Sequence, residues 1–555
     1  MASPIGRNFG VEGWFSTPDS EAIDSLSRIF SRVQIKRDLG TLPLVSSGLC
    51  KFTKENKYHN MFALADVTTI DNEVVHRYQN GMKLAGQELT FEQAVMKCLA
   101  DKCILEKDHR NPKLCRVELS DCALTDDLIR AFEIYGTDLK HVVLKNVNIP
   151  EGNVGGVAQM ISKMAQLESL SIEDSNFNEV LDLAATPQLT ELRLVDCKSL
   201  QHVPDLAPAK SLKKIDIARC TALAAAPVIP QGSQLKTFDM SGCTGIINPP
   251  DLRNAVQLEE LIMANCTGLT AAPVIPQGSQ LKTLDMSGCA EIVVLPPGLV
   301  RALRLEKLNM SNCVALRAVL VIPPGSQLKT LDMSGCTSMI HPPYLGHALQ
   351  LEEVNISNCT GLRTAPVMLQ GSPLKMLNMS GCTGMINPPD LRNALRLKEL
   401  NISHCTGLTD APVIPQGSEL EIFDMSGCAG IINPPDLRHA TRLRKLNLSY
   451  CTGMITGPII PPGGQLKMLD MSECSGLINP PDLRHALQLE ELNLSECTEL
   501  REAPVIPQGS QLKILNMVKC ENVLNPPDLT YAICLEELDM RRCLSMGACP
   551  EGSAR

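Results

Sequence analysis

Five potential zinc ligands lie close together in this sequence, at Cys98, Cys103, His109, Cys115 and Cys122. Structural zinc sites usually pair their ligands, with about two to four residues between the members of a pair. The spacing here does not follow that pattern, and Cys122 also belongs to a repeat described below. We therefore predict no metal site and no cofactor. The sequence also contains no phosphate-binding loop, serine-hydrolase motif or zinc-protease motif.

A row of aspartate and asparagine residues is the second set of candidate metal ligands. Its members stand four residues before most of a series of regularly spaced cysteines, at Asp216, Asp239, Asp285, Asn309, Asp332, Asn355, Asn378, Asn401, Asp424, Asn447, Asp470, Asn493, Asn516 and Asp539. Carboxylates in a row could bind calcium. Because the asparagines carry no charge and a flat sheet cannot surround an ion, we interpret the row as a solvated polar surface.

The regularly spaced cysteines recur every 23 residues, except for one step of 24 between Cys289 and Cys313. The sixteen members of this cysteine ladder are Cys197, Cys220, Cys243, Cys266, Cys289, Cys313, Cys336, Cys359, Cys382, Cys405, Cys428, Cys451, Cys474, Cys497, Cys520 and Cys543. A fixed period of this length predicts a solenoid, in which successive turns of the chain stack on one another.

Each ladder cysteine closes the same phrase, for example Leu328-Lys-Thr-Leu-Asp-Met-Ser-Gly-Cys336. This pattern, L-x-x-L-x-L-x-x-C, resembles the leucine-rich repeat. Its alternating apolar residues predict one short half-buried strand in each turn. The resemblance implies an α/β solenoid, a curved horseshoe with parallel strands on its concave face. Weaker copies at residues 114–122, 139–147 and 167–175 bring the number of predicted strands to nineteen.

The segments that return the chain from one strand to the next alternate between two sequence motifs, which we call the two return texts. One text is exemplified by residues 272–280 and the other by residues 387–394. Proline in both texts excludes a long helix, so we predict a solenoid that is mostly β and irregular. We expect the first text to be extended, with a turn at Gly278. We expect the second to form one helical turn with Pro389 at its first position.

Charged residues test the predicted strand alignment. The residues seven positions before the ladder cysteine alternate in sign over seven turns, at Lys236, Glu259, Lys282, Glu306, Lys329, Glu352 and Lys375. Stacked turns would therefore place each lysine beside a glutamate. Each exposed pair of this kind contributes about 0.2–1 kcal/mol, so the alternation favours order more than stability.

Residues 1–110 carry no repeat, and we predict that they form a small mixed α/β domain that caps or docks, followed by the solenoid at 111–555. Helical spacing marks residues 19–33, and a second helix is predicted to open at Thr90, where Gln93 would complete a capping box. We expect short strands and turns over residues 41–85. A cap is expected because the end turn of a solenoid would otherwise expose its core.

Composition narrows the class of partner. The net charge is −10 and no basic run occurs, so we expect no binding of nucleic acid. No apolar stretch is long enough to span a membrane, and the first residues lack the apolar core of a secretory signal. Ladder cysteines pointing into the core favour reduced thiols and a cytoplasmic, reducing location. We expect a monomer that binds a protein ligand.

Two columns of the repeat change character in the C-terminal half. Six residues before the ladder cysteine, threonine gives way in alternate turns to the apolar column, Met376, Ile422, Met468 and Ile514. Directly before the cysteine, glycine and asparagine give way mostly to larger residues, including His404, Tyr450, Glu473, Glu496 and Lys519. Exposed apolar groups beside polar ones mark interaction surfaces, so we predict partner binding at these nine residues, with drift on an unused surface as the alternative.

The 23-residue phrase, as in Ser241-Gly-Cys-Thr-Gly-Ile246, resembles repeats of plant disease-resistance receptors and of bacterial leucine-rich proteins. Some secreted bacterial effectors use similar repeats to bring host proteins to a ubiquitin-ligase domain. The resemblance implies a non-catalytic protein-recognition scaffold, an effector acting in a host cell cytosol. The alternative is a substrate-recognition part of a ubiquitin-ligase-type enzyme or adaptor with its activity in residues 1–110. A third reading is self-association through the apolar pairs of the return segments, although we expect these residues to fill the core there, namely Val274, Ile275, Val413, Ile414, Val505 and Ile506.

Overall fold

The computed structural model describes residues 69–84, 87–105, 113–150, 155–368 and 370–545. The chain divides into two compact units, one of residues 1–175 with 184–188 and the other of residues 176–183 with 189–555. The helix predicted at residues 19–33 lies outside the described residues. So does the predicted domain boundary at residue 110, which remains a prediction. In the parts of the chain that the structure describes, no helix has the length and apolarity needed to cross a membrane.

In its described residues, from Thr69 onward, the first unit contains four parallel strands and four α-helices. The strands are β1 (Thr69–Asp71), β2 (Arg116–Ser120), β3 (His141–Lys145) and β4 (Ser169–Glu173), and each pairs in parallel with the next. The helices are α1 (Asn72–Leu84), α2 (Phe91–Leu105), α3 (Asp126–Tyr135) and α4 (Gly156–Ser162).

Helix α2 begins where the sequence predicted. The N–H of Gln93 donates to Oγ1 of Thr90 at 3.2 Å, and the N–H of Thr90 donates to Oε1 of Gln93 at 3.1 Å, which completes the capping box. The prediction of strands and turns over residues 41–85 holds at β1 and is wrong over the rest of its described part, which α1 occupies. The apolar residues Val74, Val75, Tyr78 and Met82 recur at helical spacing and are buried, a signal that the sequence reading missed.

Helices α3 and α4 return the chain between β2 and β4. The corresponding steps, from Cys122 to Val147 and from Val147 to Ser175, are 25 and 28 residues long, against 23 in the ladder. The longer return gives room for a helix, and α3 is capped by Thr125, whose hydroxyl accepts from the N–H of Leu128. Among the described residues the α-helical returns therefore belong to the first unit, while the 24-residue step between Cys289 and Cys313 holds a single 3-10 turn at Leu299–Arg301.

The second unit is a stack of short parallel strands. They are β5 (Glu191–Val195), β6 (Lys214–Asp216), β7 (Thr237–Asp239), β8 (Glu260–Ile262), β9 (Thr283–Asp285), β10 (Lys307–Asn309), β11 (Thr330–Asp332), β12 (Glu353–Asn355), β13 (Met376–Asn378), β14 (Glu399–Asn401), β15 (Ile422–Asp424), β16 (Lys445–Asn447), β17 (Met468–Asp470), β18 (Glu491–Asn493), β19 (Ile514–Asn516) and β20 (Glu537–Asp539). The strands from β2 to β20 are the nineteen that the sequence predicted. The leucine-rich-repeat solenoid is confirmed, mostly β and irregular beyond β4.

The register follows the repeat without slippage. Leu331 of β11 stands beside Leu308 of β10 and Val354 of β12, and the same position is matched along the rest of the stack. These middle residues are buried, as are the apolar residue two positions later and the ladder cysteine. Because neighbouring strands match at the repeat step, every residue of the phrase forms a column along the unit.

The cysteine ladder is a column of buried hydrogen-bond donors. From Cys220 to Cys543, each Sγ–H donates to a backbone carbonyl of the preceding turn, at 2.9–3.2 Å. These cysteines are free, and burial raises the pKa of Cys266 to about 11 and that of Cys405 to about 12. A protonated thiol is what this hydrogen bond requires.

The return segments meet one expectation, fail a second and meet a third in part. Gly278 turns the chain with a φ of +77°, as predicted. No helical turn forms at Pro389, because the N–H of Arg392 donates to the Asp390 carboxylate at 3.0 Å and closes a side-chain turn instead. Val274, Val413 and Val505 do not fill the core, since 54%, 71% and 74% of their surfaces are exposed, whereas the isoleucine after each is buried.

Ion pairs cross the strands where the charge alternation predicted. Glu259 receives Lys236 at 2.9 Å and Lys282 at 2.7 Å from the turns on either side. Lys329 reaches Glu306 at 2.6 Å and Lys375 reaches Glu352 at 2.7 Å. The hydrogen bonds and charges of Lys282 and Lys236 hold the pKa of the Glu259 carboxyl at about 2. These pairs confirm the predicted alignment.

Candidate functional site

The row of aspartate and asparagine on the strand face has a structural function. In each of its fourteen members, the side-chain oxygen accepts the backbone N–H two residues later, at 2.8–3.2 Å. Asparagine also links turns, since Nδ2 of Asn355 donates to Asp332 at 3.0 Å. The row ends each strand with a side-chain turn, which the interpretation as a solvated surface missed.

The residue directly before every ladder cysteine has left-handed backbone geometry. All sixteen have φ between 55° and 70°, and we call them the left-handed column. Only glycine adopts this region freely, and asparagine tolerates it, whereas other residues incur a cost of about 1–2 kcal/mol. The early preference for glycine and asparagine therefore follows from the backbone geometry that this position requires.

Glycine and a larger residue alternate in the first part of the left-handed column because they pack as pairs. A Cβ atom at Gly335 would collide with Oδ1 of Asn312 in the preceding turn, and one at Gly427 would collide with Nδ1 of His404. From Tyr450 onward the alternation stops. Five successive residues of the column are large, and they are Tyr450, Glu473, Glu496, Lys519 and Arg542.

These large residues contact one another along the stack. A hydrogen bond to Glu473 and its negative charge raise the pKa of Tyr450. Lys519 reaches Glu496 at 2.6 Å. Tyr450 exposes 49% of its surface, His404 is also exposed, and the other three predicted site residues of the column are half-buried. The strained backbone is therefore occupied by side chains that face solvent, where a partner could reach them.

Charged residues interrupt the apolar column. The register inserts a charged residue from each intervening strand, so that Glu399 separates Met376 from Ile422, Lys445 separates Ile422 from Met468, and Glu491 separates Met468 from Ile514. Ile422 is 37% exposed, and the other three apolar residues are half-buried, less exposed than predicted. The charged residues were missed because they belong to the other type of turn.

Met468 and Ile514 line the same depression on the strand face. Its volume is about 180 Å³, and Asp470, Glu491, Asn493 and Asn516 complete its polar lining. The two apolar residues stand one on each side of Glu491, which belongs to the strand between theirs. The structure thus brings two of the nine predicted site residues into one concave feature and adds an acidic residue to them.

The candidate zinc ligands are only partly described. Burial raises the pKa of Cys98 to about 12 and that of Cys122 to about 11, so both are protonated thiols at neutral pH in the metal-free chain. The side chains of Cys103 and His109 lie outside the described residues. The expectation that this segment holds no metal remains a prediction.

Comparisons with known proteins give likenesses among solved structures. The chain is similar to YopM from Yersinia enterocolitica, with 19% identity, a TM-score of 0.44, and coverage of 79% of this chain and 88% of that one. It is also similar to the functional domain of InlJ from Listeria monocytogenes, which includes a cysteine ladder, with 16% identity, a TM-score of 0.28, and coverage of 62% and 70%.

A third likeness is to the leucine-rich repeat domain of the type III effector XopL, with 18% identity, a TM-score of 0.31, and coverage of 58% of this chain and 98% of that one. No protein-family model matches the sequence, and no curated protein matches it either. The assignment as a leucine-rich-repeat solenoid rests on the repeat phrase and the strand register described above.

Proposed function

We propose that this leucine-rich-repeat solenoid is a non-catalytic scaffold that recognises a protein partner with the C-terminal half of its strand face. The observation that carries the proposal is the left-handed column. From Tyr450 onward, five successive turns retain large side chains where glycine would relieve the backbone. Each such residue costs about 1–2 kcal/mol, so retention of five in a row favours a use for them over drift.

The surroundings of the column support this use. The partner-binding surface combines His404, Tyr450, Glu473, Glu496 and Lys519 with the apolar column, Met376, Ile422, Met468 and Ile514. Half-buried apolar residues with polar neighbours resemble the composition of a protein interface, in which aromatic and apolar anchors are surrounded by a polar rim. Between Cys243 and Cys359 the strand face has threonine in alternate turns where the apolar column would stand, and glycine or asparagine directly before the cysteine, so it lacks such anchors.

The test is the affinity of a partner recovered by the full chain, measured by calorimetry with purified proteins. Changing Met468 and Ile514 to Thr, the residue of the matching early strands, should weaken binding by about 2 kcal/mol, or about thirtyfold. Since both side chains are half-buried, we also expect a loss of about 1 kcal/mol in the free energy of unfolding. Tyr450→Ala should weaken binding similarly.

The matched control is Thr283→Ala, which changes the same column in an early strand and should leave affinity intact. Cys336→Asp is the folding control, because it places an unpaired charge in the core and should unfold the stack locally. If the Met468 and Ile514 variants bind as tightly as the wild type, the partner does not use this surface and the proposal is wrong.

We place this activity in a reducing compartment, the cytoplasm of the producing cell or the cytosol of a host cell that receives the protein as a bacterial effector. The cysteine ladder supports a reducing environment, because each of its hydrogen bonds uses a protonated thiol. Oxidation would remove these donors from the core. The test is to incubate the protein with oxidised glutathione and without reductant. If the ladder thiols keep their hydrogen bonds under these conditions, this placement is contradicted.

Self-association is a second candidate function, and the exposed valines favour it. Val367, Val413 and Val505 recur in every second or fourth turn of the return surface, with 61–74% of their surfaces exposed. Sedimentation at rising concentration tests it. A rise in mass that Val413→Asp abolishes would support assembly, whereas a monomer at all concentrations, as the sequence predicted, would exclude it.

The ubiquitin-ligase reading concerns residues 1–110, and the structure describes only part of them. It is tested by incubating the full chain with ubiquitin, an activating enzyme and conjugating enzymes. Formation of a ubiquitin thioester or of ubiquitin chains would replace the non-catalytic proposal by the enzymatic one.

A further inference from the structure

We propose that the depression between Met468 and Ile514 binds a lysine or arginine side chain from an extended segment of the partner. This inference rests on the proposed use of the strand face and specifies the chemistry that it recognises. The depression has a volume of about 180 Å³ and is partly open on the strand face. It is suited to one long side chain, and not to a whole helix or strand of the partner.

The walls of the depression are apolar and the residue between them is acidic. Met468 of β17 and Ile514 of β19 lie on either side of Glu491 of β18, each one strand away. Two strand spacings separate the walls by about 9.6 Å. Lysine and arginine have an apolar stem and a cationic head, so the stem can pack against these walls while the head approaches the carboxylate.

Glu491 has a negative charge that the chain itself does not neutralise. Among the described residues Glu491 forms no ion pair, because the neighbouring Lys467 and Lys513 both contact Glu490, at 2.7 and 2.8 Å. Asp470 adds a second carboxylate to the lining and uses one of its oxygens to accept the N–H of Ser472. A cation from the partner would complete this arrangement.

The same arrangement occurs a second time on the strand face. Met376 and Ile422 lie on either side of Glu399, four strands before the first set. Between the two sets, Ile422 and Met468 lie on either side of Lys445, which would repel a cation. The two glutamates are about 19 Å apart, which an extended chain covers in about six residues. The preferred segment therefore has two basic residues about six positions apart, with no basic residue midway.

The test uses a defined probe, the blocked peptide acetyl-Arg-Gly-Ser-Gly-Ser-Gly-Arg-amide, with norleucine and glutamate versions for comparison. The full chain is labelled at its methionine methyl groups, and the Met468 and Met376 signals are assigned from Met→Leu variants. The arginine peptide should shift both signals in a saturable way, and the other two peptides should not. Glu491→Gln should weaken the response of Met468 about tenfold.

The matched control is Glu260→Gln, because Glu260 lies between Thr237 and Thr283 in the same column but has no apolar walls. It should leave the response of Met468 unchanged. If Glu260→Gln weakens the response of Met468 as much as Glu491→Gln does, the peptide is attracted by the net negative charge of the chain and the inference is overturned. Equal shifts with the glutamate or norleucine peptide would also overturn it.

The failure of this inference can be distinguished from the failure of the proposed function. If Met468→Thr weakens the binding of a recovered partner but Glu491→Gln does not, strand-face recognition stands and the binding of a cationic side chain is ruled out. A partner that neither variant weakens would contradict both.

Discussion

In the left-handed column, a single substitution should change the free energy of unfolding and the proposed affinity for a partner in opposite directions. At Tyr450, with φ of +59°, a side chain is retained at a backbone geometry that glycine adopts without strain. Tyr450→Gly should therefore raise the free energy of unfolding, by up to about 1 kcal/mol, while it weakens partner binding. Urea denaturation of the two proteins measures the first effect.

The matched change in the opposite direction is Gly335→Ala. Alanine at φ of +70° is strained, and its Cβ would collide with Oδ1 of Asn312. We expect a loss of about 1–2 kcal/mol. If Tyr450→Gly destabilised the chain as much as Gly335→Ala, then tyrosine would be making compensating contacts and its retention would not point to a partner.

The buried ladder thiols from Cys243 to Cys520 should be inert towards alkylation at neutral pH. Burial raises the pKa of Cys266 and Cys313 to about 11, so the reactive thiolate is rare at pH 7.5 and inaccessible to reagent. Cys534 is half-exposed and should react with iodoacetamide before these buried thiols. Mass spectrometry after brief labelling of the native protein measures the order. Buried ladder cysteines that react as fast as Cys534 would show that the turns open readily.

At the scale of the elements, ion pairs between strands give the stack a defined dependence on pH. Glu259 lies between Lys236 and Lys282, and these hydrogen bonds and charges lower its pKa from 4.5 to about 2. A carboxyl whose pKa is lowered by folding contributes stability above its unfolded pKa, and the contribution disappears as pH falls through the folded pKa. The difference in urea midpoint between wild type and Glu259→Gln should therefore be constant above about pH 5 and shrink towards pH 2.

Glu306 provides the control for this prediction, because among the described residues it contacts one lysine, Lys329, where Glu259 contacts two. Glu306→Gln should lower the urea midpoint less than Glu259→Gln does at pH 7. Both effects should decrease in salt, since exposed pairs are screened. A pH-independent difference would attribute the effect of Glu259 to packing of its side chain.

The strands were predictable from sequence and their loops were not. The phrase ending at each cysteine fixed the position of every strand from β2 to β20, because burial of Leu331 and its equivalents requires that register. Pro389 was predicted to begin a helical turn, but Asp390 offered its carboxylate to the backbone first. Periodicity reports which side chains are buried, whereas a turn depends on local competition for hydrogen bonds.

The candidate site was predictable only in part, for a related reason. Met468 and Ile514 can be found by comparing the same position in turns of one type. Glu491 stands in the other type of turn, and its place between them follows only from the pairing of strands. The requirement for left-handed geometry before each cysteine is visible in the sequence as alternating glycine and asparagine, but the same pattern also fits an open surface, and only the backbone angles distinguish the two.

At the scale of the whole molecule, the second unit should tolerate loss of turns in pairs better than loss of one. Deleting residues 244–289 removes two turns, keeps both return texts in alternation and places Lys236 beside Glu306. Deleting residues 244–266 removes one turn and places Lys236 beside Lys282. Although the second deletion is smaller, we expect it to be the less stable, in urea denaturation followed by circular dichroism. Equal stability would show that the alternation of turns has no energetic meaning.

The paired period also determines how this protein can change its reach. Near-identical copies of the text around Asn387, Asn433 and Asn479 allow recombination to misalign a gene by whole pairs of turns. Each such event would add or remove about 9.6 Å between two points on the strand face and leave the residues at those points unchanged. Under this process the distance between Glu399 and Glu491 changes in steps of two strands, so the proposed spacing of basic residues in a partner would also change in steps.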